Sequence, residues 1–345
     1  MGQQHGELLR QEVHELAKIR LELARMFARE HGVRVTDDDC RLLAKQLLPI
    51  HEEVFPEVFD EWRGIAKGAD LSMEDVFFAN ALTDFQDVLW QFSDVDVHGC
   101  TAFMVSGEAT QSQSPYLGQT WDMHASAEPF IHIFSRVPKN GPSSLVMTTA
   151  GCLTLVGVNS EGLAAGNTNL RPRDARLGVI YLAILHETLR QKTISAATSV
   201  VTDSPRASGH NYLLSSAVGD AVNIETTARQ KTATHLQSGW FVHTNHYLSK
   251  SLLPLEDSTA ARDSTEYRLQ RIRQNFENAE QPFTPESLRH LLADHEGGDS
   301  CICRHGTRHQ GRSCAFVVVD PQAQSLWCSL GPPCEGVLTE YRLTR

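Results

Sequence analysis

A chain of 345 residues can bury one large core or two smaller ones, and its hydrophobic content of 41% lies within the range of globular proteins. No apolar run approaches the ~20 residues that a membrane-spanning helix needs, so a membrane is not an expected partner. A formal charge of −11 without clustered Lys or Arg excludes a phosphate-tracking groove, so neither is nucleic acid. The opening residues, MGQQHGELLRQEVHELAKIR, lack a signal peptide's apolar region, and a cytoplasmic location is expected. Eight cysteines are too sparse for a disulfide scaffold. In a reducing compartment most should be buried as small hydrophobes.

Before residue 100 the apolar residues recur at helical spacing. Leu9, Val13, Leu16, Leu23 and Phe27 form one face of a first helix. Thr36 is a candidate N-cap for a helix through Leu42, Leu43 and Leu47. Pro56 opens another through Phe59, Trp62 and Ile65 to Gly68, and Ser72 with Asp75 makes a capping box for a fourth towards Phe85. After Cys100 the texture changes to short strands: TAFMV, PYLGQTWDM, FIHIFSRV, SLVMTT, LTLVGVN and LAAGNTNL, with NSEG (159–162) as a hairpin turn. Helices are expected at 176–191 and 193–202. NYLLSSAV, AVNIETT and WFVHTNH are a second strand set, followed by helices near 260–278 and 284–295. CAFVVVD and SLWCSL close the chain as strands. Alternating runs of strands and helices, without repeats, point to a layered α+β domain rather than a parallel doubly wound sheet.

His98-Gly99-Cys100-Thr101 stands at the junction of the two textures. A glycine on the carbonyl side leaves the preceding peptide carbonyl open to a thiolate. Attack of Cys100 on the Gly99 carbonyl gives a thioester, and its hydrolysis frees Cys100 as a new N-terminus. The new α-amino group, with a reference pKa near ~8, can then serve as base for its own thiol. By itself Gly-Cys is a weak signal, since a free Cys at a strand start is usually a buried hydrophobe. Trp121-Asp122 ends the next strand, where antiparallel pairing could bring the carboxylate towards the thiol. His243-Thr244-Asn245-His246 ends a later one, where an Asn amide could donate to an oxyanion.

The segments HGCTAF, GQTWDM and VHTNH resemble, in order, the three main signatures of the acyl-coenzyme A:6-aminopenicillanic acid acyltransferase-like family, peptidase family C45. PEVFDEWRGIAKGADLSMEDVFFANALTDF, GVNSEGLAAGNTN and SGHNYLLSSA resemble further family segments, so that the likeness spans about residues 4–330. The resemblance implies the four-layer αββα sandwich of N-terminal-nucleophile hydrolases, self-cleaved between Gly99 and Cys100. It implies a helical α-subunit (1–99) and a catalytic β-subunit (100–345), folded together as one domain. It also implies Cys100 as nucleophile, Asp122 as the pocket carboxylate and Asn245 as the oxyanion-hole amide. The family's substrate-contacting Arg falls on Arg312 in QGRSCAFVVVD, with Arg304 in CICRH as competitor. Two departures stand out. The sequence starts at Met1, directly ahead of the G-x-x-H-G element (Gly2 to Gly6) that a short strand precedes in the family, so either the true start lies upstream or that strand is missing, and the sheet edge stays open. GNTN (166–169) carries Thr168 where a bulkier aromatic can occur, so penicillin-side substrates are not implied.

Plainer readings compete at each position. Asp122 could serve only a strand-end turn, and Asn245 could cap one. His243 with Asn245 suggests a papain-like triad, but the flanking sequence is wrong for it. Cys301, Cys303, His305 and His309 in CICRHGTRH suggest a metal, yet C-x-C with scattered His is a poor match to a zinc knuckle. A second knuckle is absent from the local sequence, because the nearest candidate, Cys314, enters a strand. A loop near the pocket with buried cysteines and no metal is expected there. The reading that follows is a thiol-dependent amide-bond hydrolase or acyltransferase that needs no cofactor. Its substrate would be a small acyl-amide or acyl-amino acid, with an acyl-thioester as a further donor. The alternatives are a non-processing relative that binds a small ligand, a papain-like protease, and a bile-salt or penicillin-V hydrolase relative. The roughly one hundred helical residues ahead of Cys100 argue against the last of these.

Overall fold

In the computed structural model, residues 1–30, 32–89, 99–257 and 262–343 are described. Five helices come first: α1 (Gly2–Leu8), α2 (Arg10–Glu30), α3 (Asp37–Val54), α4 (Pro56–Ala69) and α5 (Met73–Leu89). Their starts follow the local chemistry. Thr36 caps α3 in a capping box with Asp39, Pro56 occupies the first turn of α4, and the Ser72 hydroxyl accepts the Asp75 N–H at 3.1 Å ahead of α5. The Gly2–Gly6 element is helical and packs backbone to backbone on α4. A Cβ at Gly6 would lie 2.2 Å from the Ile65 carbonyl oxygen, and one at Gly68 2.2 Å from that of Gln3.

The strands are β1 (Ala102–Val105), β2 (Tyr116–His124), β3 (Ile131–Arg136), β4 (Ser144–Thr149), β5 (Val156–Asn159) and β6 (Leu163–Leu170). Helices α6 (Tyr181–Thr188) and α7 (Ile194–Asp203) follow, then β7 (Gly209–Ser216), β8 (Ala221–Thr226), β9 (Lys231–Leu236) and β10 (Trp240–His243). Helices α8 (Arg262–Asn278) and α9 (Pro285–Leu292) precede β11 (Gly311–Asp320), β12 (Ser325–Leu330) and β13 (Thr339–Arg342). Pairing is antiparallel throughout. One sheet runs β10-β1-β2-β11-β12-β13 and the other β3-β4-β5-β6-β7-β8-β9.

The two-residue period of a strand sorts the first sheet's side chains into two cores. Phe103, Val105, Phe316 and Val318 face outward onto Leu269, Ile272 and Phe276 of α8 and Leu288 and Leu292 of α9. Ala102, Met104, Ala315, Val317 and Val319 face the second sheet. Helices α6 and α7 cover that sheet's far side, and the apolar faces of α2 to α5 join the same core. This is the αββα sandwich of the N-terminal-nucleophile hydrolase type, as expected.

Buried polar contacts fasten the N-terminal helices to the rest. The Gly151 N–H donates to His5 Nε2 at 2.9 Å, the Asn80 amide donates to the Gly151 carbonyl at 2.9 Å and accepts from the Leu153 N–H at 2.9 Å, and the Ile180 N–H donates to His51 Nε2 at 2.9 Å. Such groups are costly to bury unpaired, so together they fix the docking geometry.

Helix α6 starts five residues later than its periodicity suggests. Gly178 runs against another backbone, where a Cβ would meet the Pro205 carbonyl oxygen at 2.5 Å, and Val179 bridges to Arg206 in extended form. Strands β9 and β13 escaped sequence detection altogether. Both are sheet edges whose residues are mostly exposed, so they carry no apolar alternation.

Candidate active site

Cys100 lies at the mouth of β1, where register with β2 sets its neighbours. The pairing Ala102↔Gln119 extends back to Thr101, whose N–H donates to the Thr120 hydroxyl at 3.0 Å. The Asp122 backbone N–H then points at Cys100 Sγ from 3.4 Å. The thiol is buried and free. Burial pushes its pKa up to about 12; the Asp122 charge adds to this, while the Asp122 N–H, Arg268 and Arg304 oppose it.

The Asp122 carboxyl is 1% exposed. Neither oxygen meets a hydrogen-bond donor of good geometry among the described residues. Burial raises its pKa to about 6; Arg304 first and Arg268 second hold it from rising further, helped by the Ser313 and Thr120 hydroxyls. The folded carboxyl thus keeps its proton over a window, roughly pH 4 to 6, in which the unfolded one ionises. Stability relative to a neutral side chain is lost as pH rises through that window, by about 3 kcal/mol in total. Asp122→Asn in an uncut Cys100→Ala background is therefore expected to gain stability over its parent between pH 4 and 6, with the gain level above about 7. Urea midpoints across that range check this; a pH-independent difference would contradict it.

Arg304 lies against Gly99. A Cβ on Gly99 would fall 2.5 Å from the Arg304 Cζ and Nη1 atoms, so the face of Gly99 that a side chain would occupy is filled by a guanidinium. Arg304 is buried and donates to the Ser264 hydroxyl at 2.8 Å. Gly99→Ala must displace it, and self-cleavage of that variant is expected to slow by about tenfold or more in an intact-mass time course. His98, the remaining residue of the junction motif, lies outside the described residues.

Arg312, the sequence's first choice for the substrate-contacting Arg, is elsewhere. In β11 Ser313 pairs with Asp122 and Arg312 with Met123, so alternation turns Arg312 to the other face. There it is held by Glu128 and Glu335. Thr168, the GNTN residue, is buried, and its hydroxyl bonds His243 Nδ1 at 3.1 Å. His243 directs Nε2 to Glu225 at 3.0 Å and Nδ1 to the Thr244 carbonyl at 2.7 Å, so neither nitrogen serves a papain-like triad.

Asn245 is half-buried just past β10. Its side-chain amide donates to the Asn169 carbonyl at 3.0 Å, and its Oδ1 accepts from Arg268 Nη2 at 3.0 Å. Arg268, which the sequence did not single out, also donates through Nη1 to the Cys100 carbonyl at 2.9 Å and to the Thr101 hydroxyl at 3.3 Å. Only its fully buried place on α8 would have marked it, and a helical Arg reads as solvated from sequence. A cavity of about 20 Å³, room for one water, lies beside the thiol. Thr83, Cys100, Asp122, Asn169, Tyr181 and His210 are among its walls. His210 stacks on Tyr181, ring centroids 4.3 Å apart, with Nε2 3.6 Å from Asp84.

The CICRHGTRH segment does form a loop near the site with buried cysteines. It also acquires a second pair of ligand-type side chains, contrary to the sequence expectation. His295 and Cys334 join Cys303 and His305, whereas Cys301 and His309 take no part. Among the described residues no helix is long and apolar enough to cross a membrane.

The sandwich is that of the N-terminal-nucleophile hydrolases. One solved structure of that kind is a variant of conjugated bile acid hydrolase from Clostridium perfringens (TM-score 0.51, 11% identity, covering 71% of this chain and 92% of that one). A Caenorhabditis elegans ortholog of N-acylethanolamine-hydrolyzing acid amidase gives a TM-score of 0.46 at 13% identity, over 65% of this chain and 93% of that one. Within this class the chain belongs to the acyl-coenzyme A:6-aminopenicillanic acid acyl-transferase family, whose model matches residues 109–335. The matched span contains Asp122, Asn245 and Arg304 and begins after Cys100. The 40 kDa form of acyl-coenzyme A:6-aminopenicillanic-acid-acyltransferase from Emericella nidulans is 24% identical over 317 residues, 88% of this chain and 83% of that protein. The chain is thus an enzyme of the acyl-transfer and amide-hydrolysis kind.

Proposed function

We propose that the protein cuts itself between Gly99 and Cys100 and then breaks or transfers small amides through an acyl-thioester on Cys100. The observation that carries this reading is the convergence on one peptide bond. Cys100 Sγ sits beside the Asp122 N–H, Arg304 is packed on Gly99, and Arg268 holds the Cys100 carbonyl.

In the first reaction the Cys100 sulfur adds to the Gly99 carbonyl carbon. The carbon–nitrogen bond breaks, the Cys100 nitrogen takes a proton as its α-amine, and Gly99 remains as a thioester. Water then adds to the thioester and releases a Gly99 carboxylate and the thiol. In the cut enzyme the α-amine accepts the thiol proton, so one residue is nucleophile and base. The released chain end at Gly99 leaves space beside Cys100, and the continuous core keeps the helical segment 1–99 and the body 100–345 together. The substrate class is a small acyl-amide or acyl-amino acid, its charged end facing Arg304 and Asp122, with an acyl-thioester as a further donor. Water as acceptor gives hydrolysis and an amine gives transfer, according to how well the pocket excludes water.

Asn245 supplies the oxyanion amide in this reading, with Arg268 fixing its orientation. Asn245→Ala should cut itself yet lose about 10²-fold or more in kcat, as removal of such a donor costs. Full turnover by that variant would remove Asn245 from the mechanism. The reading as a whole is tested by intact-mass spectrometry of freshly purified protein. Two fragments meeting at Gly99/Cys100 support it, and a persistently uncut chain that turns over acyl-amides would sink the self-processing half.

A further inference from the structure

Four side chains of metal-ligating type meet outside the Cys100 cavity, brought from three separate stretches of chain. His295 follows α9, Cys303 and His305 precede β11, and Cys334 lies in the turn after β12. Their ligand atoms all lie within 4.8 Å of one another. Cys303 Sγ and Cys334 Sγ are 3.5 Å apart, and the two Nε2 atoms of His295 and His305 are 3.0 Å apart. His305 Nε2 stands 3.3 Å from Cys334 Sγ and 3.6 Å from Cys303 Sγ.

Those four separations lie within about 0.3 Å of the edges of a tetrahedron around zinc, and the two remaining edges, from His295 to each sulfur, are no longer than 4.8 Å. With Zn–S about 2.3 Å and Zn–N about 2.0–2.1 Å, the edges come to about 3.8 Å for S–S, about 3.6 Å for S–N and about 3.3 Å for N–N. A second observation points the same way. His305 turns its other nitrogen, Nδ1, to Glu335 at 3.1 Å. A carboxylate behind a ligating imidazole fixes the tautomer that leaves Nε2 free for the metal and raises its basicity. Glu335 is itself held by Arg312 at 3.2 Å, which gives that arginine a place in the fold. A disulfide between Cys303 and Cys334 is the competing use of the two sulfurs. It needs Sγ atoms about 2.05 Å apart and would leave two imidazole nitrogens facing each other.

We propose that His295, Cys303, His305 and Cys334 bind one zinc ion in a closed, four-ligand structural site. Two thiolates and two imidazoles in tetrahedral array select zinc over harder divalent ions. Four protein ligands leave no position for water or substrate, so the ion is a staple and not a second catalyst. Its effect on the active site is indirect. Arg304 lies between two of the ligands, so the ion pins the loop that presents Arg304 to Gly99.

The test uses the full chain, stripped by a chelator under reducing conditions and titrated with zinc alone against a chromophoric competitor. One zinc per chain is expected, and cobalt(II) in its place should show thiolate charge-transfer and tetrahedral d–d absorption. Cys334→Ser and His295→Ala change exposed side chains, so the fold should survive them. Each should weaken zinc at least 100-fold, and Glu335→Gln about 10–100-fold. Cys301→Ser, whose sulfur is outside the four, should bind as the parent does, and so should Cys100→Ala, which separates this site from the processing reaction. No stoichiometric uptake by the reduced chain, or uptake indifferent to Cys334→Ser and His295→Ala, overturns the proposal.

Discussion

Cys100→Ala is expected to leave a single uncut chain and no measurable turnover, read as one intact mass against two for the parent. The sulfur is the sole atom in this reading that can both open the Gly99 peptide and carry the acyl group, so both reactions vanish together. Cys100→Ser should still cut, but slowly, because a hydroxyl is the weaker nucleophile near neutral pH. The pKa of about 12 that burial imposes on the thiol of the uncut chain has a further consequence. Thiolate is scarce at neutral pH and grows tenfold with each pH unit, so the rate of self-cleavage should rise with a slope near one in log rate against pH. Turnover by the cut enzyme should lack that slope around neutrality, because its α-amine, with a reference pKa near ~8, accepts the proton. Uncut wild type that turns over substrate as fast as the cut form would remove the need for a new N-terminus.

Arg268→Met should be the most disruptive change away from the thiol itself. The side chain is 0% exposed and joins the Cys100 carbonyl, the Thr101 hydroxyl and Asn245 Oδ1. Its loss strands the buried Cys100 carbonyl and Thr101 hydroxyl, and the half-buried Asn245 Oδ1, at about 1–3 kcal/mol for each buried one left unpaired. It also removes a cation that restrains the Asp122 pKa. A loss of about 3–5 kcal/mol is expected from urea unfolding in the Cys100→Ala background, the cost of breaking a buried charged network from one side. In the Cys100-bearing chain, self-cleavage should fall with it. Arg268→Lys should recover little, because a compact ammonium does not reproduce the rigid planar fork that reaches the three acceptors at once. An unchanged urea midpoint would show that these hydrogen bonds hold nothing together.

Much of the architecture was legible because its signals are local. The N-caps at Thr36 and Ser72, Pro56 and the Asn159–Gly162 turn are contacts within four residues, and their positions held. SLVMTT, LAAGNTNL and SLWCSL matched their strands end for end, since buried strands carry dense apolar runs between turn residues. The edge strands KTATHL and TEYR were invisible for the opposite reason, having no core to face.

The chemistry divides along the same line. Sequence alone located the Gly99-Cys100 junction, the strand carrying Asp122 and the turn bearing Asn245, because three short segments resemble family signatures in order. Tertiary structure alone decided which arginine reaches the thiol's neighbourhood. Arg304 and Arg312 are eight residues apart, and the alternation of β11 against β2 turns Arg312 away. It alone brought Arg268 from α8 beneath Cys100 and joined His295 and Cys334 to Cys303 and His305. Those pairings close long loops, and no local propensity records which distant side chains a packed sandwich will set face to face.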